Sequence, residues 1–382
     1  MLGETIATLG DLIAFPTVST DPNLDMIAYL ADRLEAAGAR VEVLADAGGA
    51  KANLWASLGP ETDGGIVLSG HTDVVPVADQ DWTSDPFAMA ERDGRIYGRG
   101  TCDMKGFIAC CLTLAPTLAG AVRTRPLHFA FTHDEETGCI GATHLVADLK
   151  RRDTRPALAI IGEPTGMRVV EGHKGCYEYS THFAGLEGHG STPDAGVNAV
   201  EYAARYVARL LDLKDRLKAR APAGSRFDPP WTTINVGASK GGSAHNIIAG
   251  RARVDWEMRP VAKPDADFVK ADLAGFVADT LLPAMQAVHS EAAIALETIA
   301  EVAGLEPMDN NAARALVAEL TGANAAHVVP FGTEAGLFQS LGLDAVVCGP
   351  GSIEQAHKAD EFVAIDQLRA CLDMLQRLGD RL

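Results

Sequence analysis

Residues 66–73 read IVLSGHTD, an apolar run that ends in a glycine, a histidine and an aspartate. Three later segments repeat this arrangement: apolar runs at 127–132, 157–161 and 345–348 each lead into a loop with acidic or histidine side chains. Short, nearly unbroken apolar runs between helical segments are typical of strands buried in a parallel sheet. This pattern predicts an α/β domain with a mostly parallel sheet.

The middle of the chain has a different pattern. Residues 177–183 and 251–259 alternate between apolar and polar, which is typical of antiparallel strands with one solvated face. The amphipathic stretch 197–217 predicts a helix that covers the other face. An inserted α+β domain, an antiparallel sheet plus helices, is therefore expected to interrupt the α/β domain. The predicted limits are 1–176 for the first part of the α/β domain, 177–291 for the inserted domain and 292–382 for the second part.

The bulk composition narrows the possible functions. At 382 residues, 47% of them hydrophobic and 22% charged, the chain has the length of two globular domains. A formal net charge of −18 disfavours nucleic acid, because its phosphates would be repelled over the whole surface. We expect no membrane association and a cytoplasmic location, since the chain has neither eighteen consecutive apolar residues nor a signal peptide. The seven cysteines lack a Cys-x-x-Cys pair and are expected to be mostly small buried side chains.

Candidate metal ligands follow the four predicted strands. In open α/β sheets, ligands bind beyond the carboxyl ends of the strands, so loops at these ends are expected to converge on one place. Alone, each signal has an ordinary explanation; adjacent glutamates, for example, often form a solvated turn. The residues in question are His71, the pair Glu135-Glu136, Glu163 and His357.

A further acid, Asp103, lies in the glycine-rich segment GRGTCDMKG at 98–106, directly before a predicted helix. An aspartate at such a position can simply cap the helix. Taken with the strand-end residues, however, it completes a set of histidines and carboxylates. Imidazole and carboxylate are good ligands for borderline metal ions such as zinc.

In this order, the motifs resemble those of the two-zinc deacylases, the family of acetylornithine deacetylase and succinyl-diaminopimelate desuccinylase. The resemblance covers essentially the whole chain, and its last two motifs resemble the acetylornithine branch in particular. The matching motifs are SGHTDVVP at 69–76, YGRGTCDMKG at 97–106, DEETG at 134–138, GEPT at 162–165, GHGSTP at 188–193, NII at 246–248, GTEAG at 332–336 and GPGSIEQAHKADE at 349–361.

The resemblance implies two zinc ions per subunit, for which cobalt can substitute. Asp103 would bridge the two ions. His71 and Glu163 would complete the coordination of one ion, and Glu136 and His357 that of the other. A bridging carboxylate between two histidine-acid pairs is consistent with a two-metal hydrolytic site.

Three further residues would take part in catalysis. The resemblance assigns Glu135 as general base and Glu136 as ligand; the residues alone leave the swapped assignment open. Asp73 would hold the second ring nitrogen of His71 and so fix its tautomer. His189 would reach the active site of the other subunit and stabilise the developing oxyanion. Without the resemblance, His189 would be interpreted as a surface-loop histidine.

A small-molecule N-acyl amino acid is the implied substrate, bound by a homodimer whose inserted domain is a dimerisation and lid domain. Arg259 and Asn246 would bind the α-carboxylate, since arginine offers a bidentate fork. The competing interpretation places Arg259 on the exposed face of a strand. Glu334, with Gly332 and Thr333, would face the side-chain ammonium of the substrate or merely cap the next helix.

The branch motifs favour hydrolysis of N2-acetyl-L-ornithine to L-ornithine and acetate, a step of arginine biosynthesis. A sibling activity on N-succinyl-diaminopimelate, N-acetylcitrulline or general N-acyl amino acids would use the same ligands. A non-catalytic binding protein of this fold is disfavoured, because none of the five ligands and the base is missing. A two-metal phosphoesterase would need extra basic residues beside the metals, and only Arg99 and Lys105 are near in sequence.

Overall fold

A computed structural model describes residues 1–122 and 124–382 of the chain. These residues form two compact units, and the second unit interrupts the first along the sequence. The first unit comprises Met1–Gly172, Pro307–Val328 and Thr333–Leu382, and the second comprises His173–Glu306 and Val329–Gly332.

The strands, numbered in chain order, are β1 Arg40–Ala45, β2 Ala52–Leu58, β3 Ile66–His71, β4 Ala90–Arg92, β5 Arg95–Tyr97, β6 Leu127–Thr132, β7 Leu158–Pro164, β8 Val170–His173, β9 Cys176–Ala184, β10 Gly188–His189, β11 Thr233–Gly241, β12 Ile247–Ile248, β13 Arg251–Arg259, β14 Ala293–Val302, β15 His327–Val329, β16 Asp344–Gly349 and β17 Phe362–Ala364.

The α-helices are α1 Leu2–Ile13, α2 Leu24–Ala36, α3 Gly106–Ala121, α4 Ile140–Leu149, α5 Ala199–Lys218, α6 Lys263–Phe276, α7 Leu282–Gln286, α8 Ala312–Thr321, α9 Ala335–Ser340 and α10 Ile365–Leu378. A kinked turn at Thr101–Lys105, with non-helical backbone at Asp103 and Met104, precedes α3. A short π-helical turn at Val277–Leu281 precedes α7, and 3-10 turns lie at Pro193–Ala195 and Gly379–Arg381.

The main sheet has eight strands in the order β1-β2-β6-β3-β7-β16-β8-β15. Its four central strands, β6, β3, β7 and β16, run parallel to one another. On the flanks, β2 pairs antiparallel with β1 and β6, and β8 pairs antiparallel with β16. Every residue of β3 and β7 is buried, as expected of central strands covered on both faces. The predicted α/β class with a mostly parallel core is confirmed.

One close approach in this core brings a helix next to a ligand-bearing strand. A Cβ atom at Gly162, in β7, would lie 2.0 Å from the Cγ of Phe107 in α3. Only glycine leaves room for the aromatic ring at this point. The close packing therefore sets α3, which follows the loop of Asp103, directly against the strand that carries Glu163.

The helix Thr101–Ala121, which includes α3, is by length and composition able to cross a membrane. However, 72% of its apolar window is buried inside the protein. α3 packs against α1 and α10. This burial accounts for its apolar composition as that of a core helix.

The second unit contains a four-stranded antiparallel sheet in the order β11-β13-β9-β14. The stacked rings of Tyr179 and Trp256, with centroids 4.6 Å apart, belong to a hydrophobic cluster shared with α5 and α6. The predicted inserted α+β architecture is confirmed. Strand β14 belongs to this sheet, because it pairs along most of its length with β9. The limits 1–176, 177–291 and 292–382 stay a prediction.

Candidate active site

Four neighbouring strands carry the predicted ligands to one edge of the main sheet. His71 is the last residue of β3, and Glu163 is the penultimate residue of β7. Glu135 and Glu136 follow β6 directly, and His357 lies in the loop after β16. Since these strands are parallel and lie side by side, their carboxyl ends meet at the same edge.

Asp103 lies between the two histidines. Its Oδ1 atom is 2.9 Å from Nε2 of His71, and its Oδ2 atom is 3.3 Å from Nε2 of His357. On the first side, Oε1 of Glu163 is 3.6 Å from Nε2 of His71. On the second side, Oε2 of Glu136 is 3.0 Å from Nε2 of His357. The five side chains thus form two histidine-acid pairs that share one central carboxylate.

The acids in this cluster strongly influence one another. Burial, followed by the charges of its acidic neighbours, raises the pKa of Glu135 to about 8. Burial and the charge of Asp103 also raise the pKa values of Glu136 and Glu163. Burial opposes ionisation of Asp103 as well, but hydrogen bonds with His357 and His71 outweigh it and lower the pKa of Asp103 below its ordinary value.

The histidines respond in the opposite sense. Hydrogen bonds with Asp103 and Glu136 raise the pKa of His357 to about 10. Burial lowers the pKa of His71, but its hydrogen bond with Asp103 and the charge of Glu163 outweigh burial and raise it well above the ordinary value. Both imidazoles therefore lie in a strongly negative environment.

This donor set fits divalent metal ions. Candidate ligand atoms lie within 4.8 Å of one another in two overlapping groups. They combine imidazole nitrogen with carboxylate oxygen, which is the chemistry that zinc binds in proteins, and a cation would offset the accumulated negative charge. The groups are His71 with Asp103 and Glu136, and His71 with Glu135 and Glu163.

The carboxylate of Asp73 holds the loop of the two adjacent glutamates. Its Oδ1 accepts the backbone N–H of Glu135 at 3.0 Å, and its Oδ2 accepts that of Glu136 at 3.3 Å. The hydroxyl of Ser19 donates to the same Oδ2 at 2.7 Å. Nδ1 of His71 lies 2.8 Å from the backbone oxygen of Asp73 and 3.7 Å from its Oδ1. Asp73 thus contacts the histidine mainly through its backbone and the glutamate loop through its side chain.

The basic residues nearest in sequence to Asp103 are both engaged elsewhere. The Arg99 guanidinium is 1% exposed and donates to Glu361 at 2.8 Å. The Lys105 ammonium is fully buried and donates to the backbone oxygens of Leu12 at 3.0 Å and Phe15 at 2.8 Å. Their charges are therefore committed to structural partners, which disfavours a phosphate-binding role.

Glu334 belongs to the first unit and is 1% exposed. Its carboxylate accepts hydrogen bonds from the hydroxyls of Ser69 and, at 2.8 Å, Thr132. These two residues lie on β3 and β6. Burial raises the pKa of Glu334. The side chain does not cap α9; instead the Thr333 hydroxyl accepts the N–H of Ala335 at 3.1 Å.

The second unit brings together two predicted residues that are far apart in sequence. Strands β10 and β12 form a two-stranded ladder in which His189 is paired with Ile247. Next to it, the N–H of Gly190 donates to the backbone oxygen of Asn246 at 2.8 Å. The His189 ring is exposed, and its Nδ1 lies 2.7 Å from the Ser191 hydroxyl.

The remaining predicted substrate residues of this unit are Arg259 and Gly332. Arg259 is the last residue of β13 and forms an ion pair with Glu257 at 2.9 Å. A Cβ atom at Gly332 would lie 3.8 Å from that of Cys176, so this glycine packs beside β9.

Two residues that organise the site were missed by the sequence analysis. Ser19 lies 54 positions from its partner Asp73 and carries no sequence signal for that contact. Glu361 lies within the matched motif at 349–361, four residues after His357. A conspicuous acid at the end of a ligand-bearing loop was the available signal for Glu361.

Comparison with known proteins identifies the family of this chain. A family model described as peptidase family M20/M25/M40 matches residues 67–381. The chain belongs to this family. It is 39% identical over 384 residues to an acetylornithine deacetylase of Myxococcus xanthus, with 97% of this chain and 95% of that protein covered. It is 36% identical over 378 residues to an acetylornithine deacetylase of Proteus mirabilis (strain HI4320), with 96% and 94% covered.

The fold of this M20/M25/M40 member is also that of a solved relative. An M20 family metallo-carboxypeptidase of Sulfolobus solfataricus superposes with a TM-score of 0.74 at 18% identity, covering 99% of this chain and 100% of that one. The resemblance predicted from the motifs is confirmed, and the protein is an amidohydrolase of a metal-dependent hydrolase family.

Proposed function

We propose that this amidohydrolase is an N-acetylornithine deacetylase, which hydrolyses N2-acetyl-L-ornithine to L-ornithine and acetate in arginine biosynthesis. The observation that carries the proposal is the carboxylate of Asp103, placed between His71 and His357 with an acid beside each histidine. The two deacetylases that share 36% and 39% identity with nearly the whole chain support this substrate.

The proposed cofactor is a pair of zinc ions, with cobalt as a substitute. Asp103 would be shared between the two ions, with His71 and Glu163 holding one and Glu136 and His357 the other. When bound, the ions would polarise the acyl carbonyl and make the attacking water more acidic.

Glu135 is proposed as the residue that moves the proton. Its carboxylate belongs to the same cluster but lies on the side of His71 and Glu163, whereas Glu136 contacts His357. A carboxylate beside the metal ligands can accept a proton from water and return it to the leaving amine. Asp73 would keep this loop in place through its hydrogen bonds to the backbone.

His189 is proposed to donate to the oxyanion that forms when the acyl carbon is attacked. We place it in the active site of a partner subunit within a homodimer. The edge strand β14 supports association, because an edge strand offers unpaired backbone groups for pairing. It also exposes Leu296 and Ile299 by 53% and 52%.

Charged side chains are proposed to recognise the amino acid. Arg259 and Asn246 would bind the α-carboxylate of the substrate. The guanidinium of Arg259 would then contact both this carboxylate and Glu257, with which it forms an ion pair. Glu334, flanked by Gly332 and Thr333, would attract the side-chain ammonium. A cytoplasmic location is proposed with this metabolic role.

The direct test is an assay of amine release by the zinc- or cobalt-loaded protein. N-acetylornithine, N-succinyl-diaminopimelate and N-acetylmethionine would be compared, with Glu135→Ala as control. We expect metal-dependent turnover of N-acetylornithine above the others, lost in the variant. Preferential cleavage of another amide would refute N-acetylornithine as the substrate and would still support amide hydrolysis as the reaction. Absence of cleavage of every amide with metal bound would refute the proposed activity.

A further inference from the structure

The Glu361 carboxylate collects four hydrogen bonds although it is 1% exposed. Its Oε2 accepts from Nη1 of Arg99 at 2.8 Å and from the N–H of Gly100 at 2.9 Å. Its Oε1 accepts from the N–H groups of Cys102 at 3.0 Å and Asp103 at 3.2 Å. A carboxylate has about four acceptor positions, so these four donors occupy nearly all of them. This side chain therefore holds the backbone of the loop that carries the central carboxylate.

The loop depends on a left-handed backbone conformation at Gly100. Its φ of 81° is in the left-handed region, and a Cβ atom there would lie 2.7 Å from Cγ1 of Val74. The turn directs the N–H groups of Gly100, Cys102 and Asp103 toward Glu361 and leaves the Asp103 side chain facing the histidines. A concave set of backbone N–H groups is a common way to bind an anion, here a side chain of the same protein.

Glu361 also connects two ligand-bearing segments. His357 lies four residues before it and has a left-handed backbone, with φ of 61°. The N–H of Gly98 donates to the backbone oxygen of Glu361 at 3.0 Å, and Arg99 donates to that of Lys358 at 3.2 Å. The loop of Asp103 and the segment of His357 are thus joined at several points around one buried ion pair.

We propose that Glu361 is a positioning residue that fixes Asp103 relative to His357 and thereby sets the affinity of the site for its metal ions. This inference rests on the proposed two-metal function. Asp103 is surrounded by other acids, so its carboxylate needs a rigid backbone to stay between the histidines. On the opposite side, Asp73 holds the backbone N–H groups of Glu135 and Glu136 in the same manner. Partners of metal ligands that are held in this way typically contribute 10–100-fold to metal affinity.

The test compares Glu361→Gln with a matched variant, Glu171→Gln. Both replace a buried glutamate that pairs with an arginine, because Glu171, 3% exposed, contacts Arg314 on α8. Zinc affinity would be measured by competition with a chelator, and the cobalt-loaded proteins would be compared by visible absorption. We expect zinc affinity roughly 10–100-fold weaker and an altered cobalt spectrum for Glu361→Gln. Glu171→Gln should keep wild-type affinity and spectrum, even if both variants unfold at lower temperature without metal.

A second variant, Glu361→Asp, keeps the charge beside Arg99 and withdraws the carboxylate by one methylene. We expect it to fold and to bind zinc several-fold more weakly than wild type, because position as well as charge matters. Wild-type affinity and spectrum in either Glu361 variant would overturn this proposal alone. Failure of the wild-type protein to bind zinc or cobalt would overturn the proposed function, and this proposal with it.

Discussion

The metal-ligand cluster of the first unit and the His189 region of the second unit are built differently. Asp103 and His71 are 6% and 1% exposed, and each contacts other members of a buried cluster at the edge of the eight-stranded sheet. His189 is exposed and rests on a two-residue ladder with a local contact to Ser191. Sites on extensive regular structure are held more precisely than sites on short loops. The cluster is therefore organised in advance, whereas His189 depends on few local interactions.

The largest effect should come from the cluster. Replacing the base, Glu135→Gln, should lower kcat by roughly 10²–10⁴-fold, because the amide cannot take up a proton. Bound metal should stay at the wild-type level, as measured by metal analysis of the purified protein. The matched variant Glu136→Gln should instead lose metal affinity. If Glu136→Gln kept its metal and Glu135→Gln lost it, the two roles would be exchanged.

His189→Ala tests the other side of the comparison. Loss of a donor to the oxyanion should lower kcat by roughly 10²–10³-fold and leave metal binding unchanged. Equal amounts of the His189→Ala and Glu135→Gln proteins, after random exchange of subunits, should regain about a quarter of wild-type activity. Half of the dimers would then be mixed, and each mixed dimer has one intact site out of two. The measurement is specific activity after subunit exchange. Lack of recovery despite proven mixed dimers would contradict the contribution across subunits.

Stabilisation by bound metal should depend on the metal-ligand cluster and not on the His189 region. At a free metal concentration 100 times Kd, binding should stabilise the native protein by about 2.7 kcal/mol. Thermal unfolding with and without a chelator would measure this shift. His71→Ala should reduce it, because one of the two ions loses a ligand, while His189→Ala should keep it. An equal loss of the shift in both variants would mean that the two regions are not independent in metal binding.

The smallest effect is expected from the neighbour of His189. Ser191→Ala removes the hydroxyl 2.7 Å from Nδ1 of His189, and such a hydrogen bond is worth about 0.5–1.5 kcal/mol. We expect kcat to fall a few-fold without a change in metal affinity. Thr192→Val is the control, since the Thr192 hydroxyl donates to the backbone oxygen of His189 at 3.1 Å. A larger loss in the control would show that loop conformation, and not ring orientation, is what matters.

Strand β2 shows where sequence patterns stop being informative. Its sequence, ANLWASL, mixes Asn53 and Ser57 with apolar residues and shows no simple alternation, so it was not predicted. All seven residues are buried. The polar ones are accommodated by partners distant in sequence, for example Asn53, which donates to the backbone oxygen of Gly141 at 2.8 Å. A polar side chain can be buried when the fold supplies its hydrogen bond, and the sequence does not reveal that partner.

The sequence by itself determined the parallel core, the antiparallel insertion and the family, because strand periodicity and contiguous motifs are local properties of the chain. It also supplied the candidate ligands, since they directly follow apolar runs. The tertiary structure decided which groups meet: both oxygens of Asp103 with the two histidines, and Asp73 with the backbone of the glutamate loop. It likewise decided that Glu361 holds the Asp103 loop and that β14 joins β9. These contacts join residues far apart in sequence, so only the folded chain specifies them.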